Sequence, residues 1–78
     1  MLAMDKQLSA EQSQQVAATV REELARRRIS RQQLAELAKI SMSTLEKALG
    51  GRRPFTLATT VRLEEALGVS LRKRTDAP

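Results

Sequence analysis

Side chains able to exchange hydrogen bonds with a polar partner gather on one side of the segment that follows Ser41. If that segment is helical, Ser43, Glu46 and Lys47 share one face. The opposite face is apolar and consists of Leu45, Ala48 and Leu49. Lysine offers three N–H donors, glutamate offers acceptors, and serine offers both. No nucleophile stands beside a base here, so this chemistry is recognition by hydrogen bonding and not catalysis.

The composition removes most catalytic and metal chemistry. The chain has no cysteine and no histidine, which excludes disulfides, thiol nucleophiles, imidazole bases and the usual zinc ligand sets. It also lacks a glycine loop that could cradle a phosphate. We therefore predict that the protein is not an enzyme and that it uses no cofactor and no metal.

The charge balance favours an anionic partner. Lys and Arg number 14 against 9 Asp and Glu, which gives a net charge of +5. This excess suits a polyanion, although a soluble surface with a modest positive bias would have the same composition. No run of about 18 apolar residues exists, and the opening segment 1–4 is too short for a secretory signal. The sequence therefore predicts a cytoplasmic protein that does not bind a membrane.

Two short helices joined by a tight corner form the centre of the chain. Ser30 and Gln33 make a capping box that opens a helix over 31–38, and Ser41 is the N-cap candidate of a second helix over 42–49. Gly50 and Gly51 end the second helix. Ala35 and Ala48 face inward, where larger side chains would push the helices apart. This pattern predicts a helix-turn-helix unit, whose second helix is free to enter the major groove of DNA.

Two further helices flank this pair. A long first helix over 10–27 begins at the capping box of Ser9 with Gln12, and the fourth runs over 57–67 between Thr56 and Gly68. The first helix has one apolar stripe, formed by Val16, Ala17, Val20 and Leu24.

Several side chains around the fourth helix have predicted places. We expect Leu57, Val61 and Leu67 to point inward, with Thr60 and Glu64 beside them. Glu64 is expected to pair with an arginine at the edge of the core. Phe55 is expected to anchor its loop into the core, and Ile29 to fill the core between helices.

The prediction for the whole chain is therefore an all-α fold, a compact bundle of four to five helices in one domain. Its boundaries are expected at 10–71, with a disordered segment over 1–9 and a flexible tail or the start of a linker over 72–78.

Residues 29–71, ISRQQLAELAKISMSTLEKALGGRRPFTLATTVRLEEALGVSL, resemble the lambda-repressor-like, Cro/C1-type (XRE) helix-turn-helix domains of bacterial and phage regulators. The resemblance extends over roughly 16–71. It implies sequence-specific binding to a double-stranded DNA operator as a transcriptional regulator, more often a repressor, or as the DNA-binding domain of one. It also implies a homodimer and a cytoplasmic, nucleoid-associated location.

The sequence departs from this family at four places. Lys39 stands at the corner where the family usually has glycine, and Arg28 also replaces a frequent glycine. Gly50 replaces a common asparagine. A fifth helix, which often forms the dimer contact, is absent or short, so a homodimer of this chain is expected to be weak if the chain is a fragment.

The resemblance assigns two groups of contact residues. The base-reading positions of the family fall on Met42, Ser43, Glu46 and Lys47. Contacts to DNA phosphate are expected from Arg31, Ser41, Thr44, Arg52 and Arg53. Met42 is equally compatible with the edge of the core, and Glu46 with Lys47 could be a solvated surface pair.

Two other interpretations remain open from the sequence alone. The same scaffold could be a protein-interaction module of antitoxin or adaptor type, with Leu37 and Met42 at the contact. Binding to RNA or a membrane surface through 26–28 has less support, because the basic residues lie at helix ends and loops and not along one face. Those arginines also suit the negative end of the first helix.

Overall fold

The computed structural model describes residues 6–72, which form an all-α bundle as predicted. The order and bounds of the four helices agree with the sequence: α1 is Ala10–Arg27, α2 is Arg31–Ala38, α3 is Met42–Leu49 and α4 is Leu57–Leu67. α2 packs on both α3 and α4, and α1 packs on α3.

Each helix begins at a hydroxyl side chain that accepts a backbone N–H. Ser9 and Ser30 form complete capping boxes with Gln12 and Gln33, respectively. The Thr56 hydroxyl accepts from the N–H of Thr59, which opens α4. These bonds satisfy donors that the first turn of a helix cannot pair internally, so the sequence sets the four starting points locally.

Left-handed residues end α1, α2 and α4. Arg28 has φ 57° and Lys39 has φ 60°, so both corners keep a backbone conformation that an L side chain disfavours by about 1–2 kcal/mol. Gly68 ends α4 at φ 68° without that cost. The family that the sequence resembles often has glycine at these two positions. Arg28 and Lys39 therefore keep the left-handed turn geometry without the glycine that adopts it most easily.

The core lies where the helices meet, and its buried polar side chains within residues 6–72 are Thr59 and Thr60. Phe55 is 1% exposed, which confirms that it anchors the loop before α4. Ile29 is half-buried against the core, as expected. The other buried apolar side chains are Val16, Ala17, Val20, Leu24, Leu34, Ala35, Ala38, Leu45, Ala48, Leu49, Leu63, Leu67 and Leu71.

The inward face of α4 differs from the prediction. Leu67 is buried as expected, but Leu57 and Val61 are only half-buried, and Leu63 takes the central place. Thr60 is also fully buried, and its hydroxyl is satisfied because it donates to the carbonyl of Thr56, 2.8 Å away. A prediction that counts only apolar residues therefore places the inward face of α4 at the wrong angle. A threonine can belong to that face, because its hydroxyl can bond a carbonyl of its own helix and so be buried without remaining unpaired.

The segment before α1 pairs with the segment before α4. The N–H of Leu8 donates to the carbonyl of Phe55 at 2.8 Å, and that of Leu57 donates to the carbonyl of Lys6 at 2.7 Å. Gln7 and Thr56 form an isolated antiparallel bridge between these bonds. The sequence gives no signal for this pairing, which the expected disorder over 1–9 leaves out; it forms because the extended backbone after Pro54 has free hydrogen-bonding groups. The predictions for 1–5 and 73–78 lie outside the described residues.

Glu64 pairs with an arginine, as predicted, and the partner is Arg72. The guanidinium of Arg72 lies 3.0 Å from the Glu64 carboxylate, which also accepts the backbone N–H groups of Leu71 and Arg72. Burial alone would raise the pKa of the Glu64 carboxyl, but these hydrogen bonds outweigh burial and lower that pKa. The pair thereby fixes the chain after α4, where Leu71 enters the core.

The left-handed corner gives a first test. Lys39→Gly should raise the free energy of unfolding by about 0.5–1 kcal/mol, because the relief of left-handed strain exceeds the entropy that glycine loses on folding. Urea denaturation followed by circular dichroism measures it. Glu36→Gly, at an exposed position inside α2, is the control and should lower stability by about 1 kcal/mol. Equal losses for both variants would contradict the strain.

The Glu64 pair gives a second test. Glu64→Gln should lower the free energy of unfolding at pH 7 by about 1–2 kcal/mol, because a charged acceptor is lost. A lowered pKa stabilises the fold above the ordinary value of 4.5 and ceases to do so as the pH falls through the lower, folded-state pKa. The difference between wild type and variant should therefore shrink below pH 4.5. Glu65→Gln, at its exposed neighbour, should change neither quantity.

Candidate nucleic-acid interface

The helix α3 has one buried face and one exposed face. Leu45, Ala48 and Leu49 are buried in the core. Ser43, Glu46 and Lys47 are exposed, as expected of a recognition face. The helix is therefore held by one side only, and the hydrogen-bonding groups of the other side project from the molecule.

Met42 differs from the other three candidate base-reading residues. Its side chain is half-buried and packs against the core cluster. Of the two interpretations that the sequence allows, this placement favours the edge of the core. The structure therefore brings Ser43, Glu46 and Lys47 together on the open face and leaves Met42 at its margin.

The two hydroxyl residues at the start of α3 that are predicted to contact phosphate differ in their hydrogen bonds. The Ser41 hydroxyl accepts the backbone N–H of Thr44 at 3.0 Å and donates to the Thr44 hydroxyl at 2.7 Å. The Ser41 hydroxyl is thus fully used in capping α3. The Thr44 hydroxyl only accepts, so its own hydrogen can be donated to an outside acceptor. The backbone N–H groups of Met42 and Ser43 belong to the first turn and have no acceptor among the described residues.

Two arginines lie directly after α3 and are held close to Lys47. The backbone carbonyl of Lys47 accepts the N–H groups of Arg52, at 3.0 Å, and Arg53, at 3.4 Å. One shallow depression on α3 is lined by Ser43, Glu46, Lys47, Gly50 and Arg52. A second contains Ser43 and Lys47 together with Arg53. Lys47 therefore lines two depressions on α3, one shared with Arg52 and the other with Arg53.

The remaining phosphate candidate is Arg31. It is the first residue of α2 and is exposed. The N–H groups of Arg31 and Gln32 lie in the first turn, where a helix presents free donors and the positive end of its dipole. The side chain of Arg31 carries no hydrogen bond or ion pair within residues 6–72, so its charge is available to a partner.

Other arginines bond to groups within the fold, and the sequence does not distinguish them from the exposed, unbonded ones. Arg21, Arg27 and Arg62 each donate to a carbonyl at the end of another helix, those of Leu49, Leu67 and Lys39, respectively. Arg26 and Arg27 pair with Glu23, at 2.7 and 2.8 Å. Only the spacing of Glu23 to these two arginines is visible in the sequence. The contacts between helices are not, because they depend on tertiary packing.

The hydrogen bonds from two arginines to Glu23 also lower the pKa of its carboxyl. Two of the three arginines over 26–28 are thus paired with a carboxylate at the end of α1. The run is therefore not a uniform basic patch. Arg28 is the member without such a contact in the described part of the chain.

The fold and the exposed helix define a helix-turn-helix protein: α2, a short corner and α3 follow each other, and α3 presents a polar face. A family model described as a helix-turn-helix domain matches residues 15–77. The chain therefore belongs to the helix-turn-helix domain family, a class of domain that binds DNA. No curated protein and no solved structure matches the chain.

Residues 6–72 show no sign of a membrane span or of a metal site. No helix within residues 6–72 is long and apolar enough to cross a membrane. The same part of the chain holds no group of three or more acidic, histidine or cysteine side chains that could bind a metal ion.

The cap of α3 gives a third test. Ser41→Ala should lower the free energy of unfolding by about 1 kcal/mol, because the Thr44 N–H loses its acceptor. Thermal and urea denaturation measure the loss. Ser43→Ala is the matched control: Ser43 is exposed in the same turn, and its substitution should leave stability within about 0.5 kcal/mol of wild type. A neutral Ser41→Ala would show that the cap does not hold the helix.

Proposed function

We propose that this chain binds double-stranded DNA sequence-specifically and acts as a transcriptional regulator, in the manner of a Cro/C1-type repressor or of its DNA-binding domain. The observation that carries the proposal is the exposed polar face of α3, where Lys47 lines one depression with Arg52 and another with Arg53. A helix of this kind fits the major groove, while the cations around it meet the phosphates on either side.

Base reading falls to the open face of α3. Lys47 can donate to O6 and N7 of guanine, Glu46 can accept from the amino group of cytosine, and Ser43 can do either. Met42 lies at the margin and serves best as an apolar contact to a thymine methyl group. These side chains do not pair with one another among the described contacts, so they reach the bases without first breaking a bond within the protein.

Phosphate contacts come from around this face. Arg52 and Arg53 flank its C-terminal end, and Arg31 with the free N–H groups of α2 lies on the neighbouring helix. Thr44 is a better hydroxyl donor to phosphate than Ser41, which caps α3. Such contacts fix the position of the protein on the duplex and carry no sequence information by themselves.

A two-fold operator completes the proposal. If two copies bind, their recognition helices enter the groove about 34 Å apart, one turn of the duplex. The domain that does so is proposed to span 10–71, and the proposed location is the cytoplasm, at the nucleoid.

A protein-interaction module remains the second candidate, because Leu37 is 59% exposed on α2. An adaptor or antitoxin that used Leu37 and Met42 would bind a protein partner and would show no salt-dependent affinity for duplex DNA. The same DNA experiment therefore separates the two candidates.

Selection from random duplex DNA, followed by affinity measurements over a salt series, tests the function. Arg31→Ala and Arg52→Ala should each weaken binding to all sequences and reduce the salt slope by about 1. Lys47→Ala should change the base preference at one position of each half-site, at a cost of about 1–3 kcal/mol for the preferred base. A chain that selects no sequence would contradict the proposal.

Arg26→Ala is the control for these variants. Arg26 is exposed and basic, yet its guanidinium pairs with Glu23 on α1. We expect its loss to leave both the affinity and the salt slope close to wild type. An equal effect from Arg26→Ala and Arg52→Ala would show that only the net charge matters and would contradict the proposed docking.

A further inference from the structure

The last turn of α3 leaves four backbone carbonyls without partners inside the helix, as any α-helix does. The turn after α3 satisfies three of them: Gly50 donates to Glu46, Gly51 donates to Ala48, and Arg52 with Arg53 donates to Lys47. The fourth carbonyl belongs to Leu49. Its partner is the guanidinium of Arg21, which reaches across from α1, 28 residues earlier in the chain.

This contact joins α1 to the end of α3 at the point where the basic turn begins. The guanidinium also brings a positive charge to the negative end of the α3 dipole. α3 has only eight residues, so a bond at its last carbonyl restrains both the direction of the helix and the turn that carries Arg52 and Arg53. Arg21 lies in a crevice between α1 and this turn, together with Ala48, Leu49 and Arg53.

We propose that Arg21 is a positioning residue for DNA recognition: it holds α3 and the turn over 50–53 in the binding geometry through the Leu49 carbonyl, and it does not contact the DNA. This inference rests on the proposed function and adds a residue that neither the sequence pattern nor the exposed face identifies. Recognition contacts are sensitive to misplacements of about 1 Å, so a loosened helix end weakens binding without the loss of any contacting side chain.

Arg27 supplies a matched comparison within the same molecule. It also lies on α1 and donates to the last carbonyl of a helix, that of Leu67 in α4, at 2.5 Å. The two bonds are of one kind, but only that of Arg21 ends at the recognition helix. Substitution of either arginine should weaken the fold, whereas only substitution of Arg21 should weaken DNA binding by the folded protein.

The experiment compares wild type with Arg21→Gln, Arg21→Lys and Arg27→Gln on the duplex that wild type selects. The temperature is kept well below unfolding, and the folded fraction is checked by circular dichroism. We expect Arg21→Gln to bind DNA about five- to tenfold more weakly. The reason is that one charge-assisted hydrogen bond no longer restrains the end of α3. Its salt slope should equal that of wild type, because no phosphate contact is removed. Arg21→Lys should restore most of the affinity, and Arg27→Gln should bind as wild type.

Three results would overturn the inference. A salt slope reduced by about 1 in Arg21→Gln would make Arg21 a direct phosphate contact. An equal loss of affinity in Arg27→Gln would mean that general destabilisation is the cause. Unchanged affinity in Arg21→Gln would mean that the end of α3 needs no such restraint.

Amide hydrogen exchange separates a failure of this inference from a failure of the proposed function. In Arg21→Gln the amides of Gly51, Arg52 and Arg53 should exchange faster, and in Arg27→Gln they should not. This readout needs no DNA. If wild type binds no duplex while these amides respond as expected, the function is wrong and the restraint stands. If wild type binds and the amides do not respond, the restraint is wrong.

Discussion

The burial of one face of α3 is the interaction on which the rest of the molecule depends. A helix of eight residues is not stable alone in water, so α3 exists because Leu45 and Leu49 are nearly inaccessible to solvent. Burying one such side chain contributes roughly 1.5–3 kcal/mol. The cap at Ser41 and the bonds at the last turn then fix the two ends. The open face stays free for a partner because the packed face alone holds the helix.

The basic residues divide into two groups that composition cannot distinguish. One group stabilises the bundle: Arg21, Arg27 and Arg62 satisfy carbonyls where helices end, and Arg72 fixes the chain after α4. In the other group, which includes Lys47, Arg52 and Arg53, the charged side chains have no hydrogen-bond or ion-pair partner within residues 6–72. The net charge of +5 is therefore a poor measure of the positive potential that a DNA duplex would meet. What matters is where the unpaired cations lie.

The sequence predicts the helices well because their signals are local. A hydroxyl residue starts each helix, and Gly50, Gly51 or Gly68 marks the end of two of them, so the bounds follow from short stretches of chain. The inward face of α4 could not be predicted from local signals, since it includes Thr60, whose hydroxyl is satisfied by a carbonyl of its own helix. The bond from Arg21 to Leu49 was equally out of reach, because it depends on how α1 crosses α3. The exposed side of α3 follows from its apolar stripe, whereas the identity of its partner does not.

The pairing of Lys6 and Leu8 with the segment before α4 has a consequence for how the molecule opens. It closes a loop of roughly fifty residues, for which the chain gives up more entropy than for any contact between successive helices. It also buries little apolar surface compared with the core. Such a pairing belongs to the least protected part of a protein, which detaches and rejoins while the bundle stays intact. Phe55 itself stays fixed during such opening, because its side chain is buried and its N–H donates to the Ser13 hydroxyl at 3.0 Å. The opening would therefore be confined to residues 6–8 and to the backbone that pairs with them.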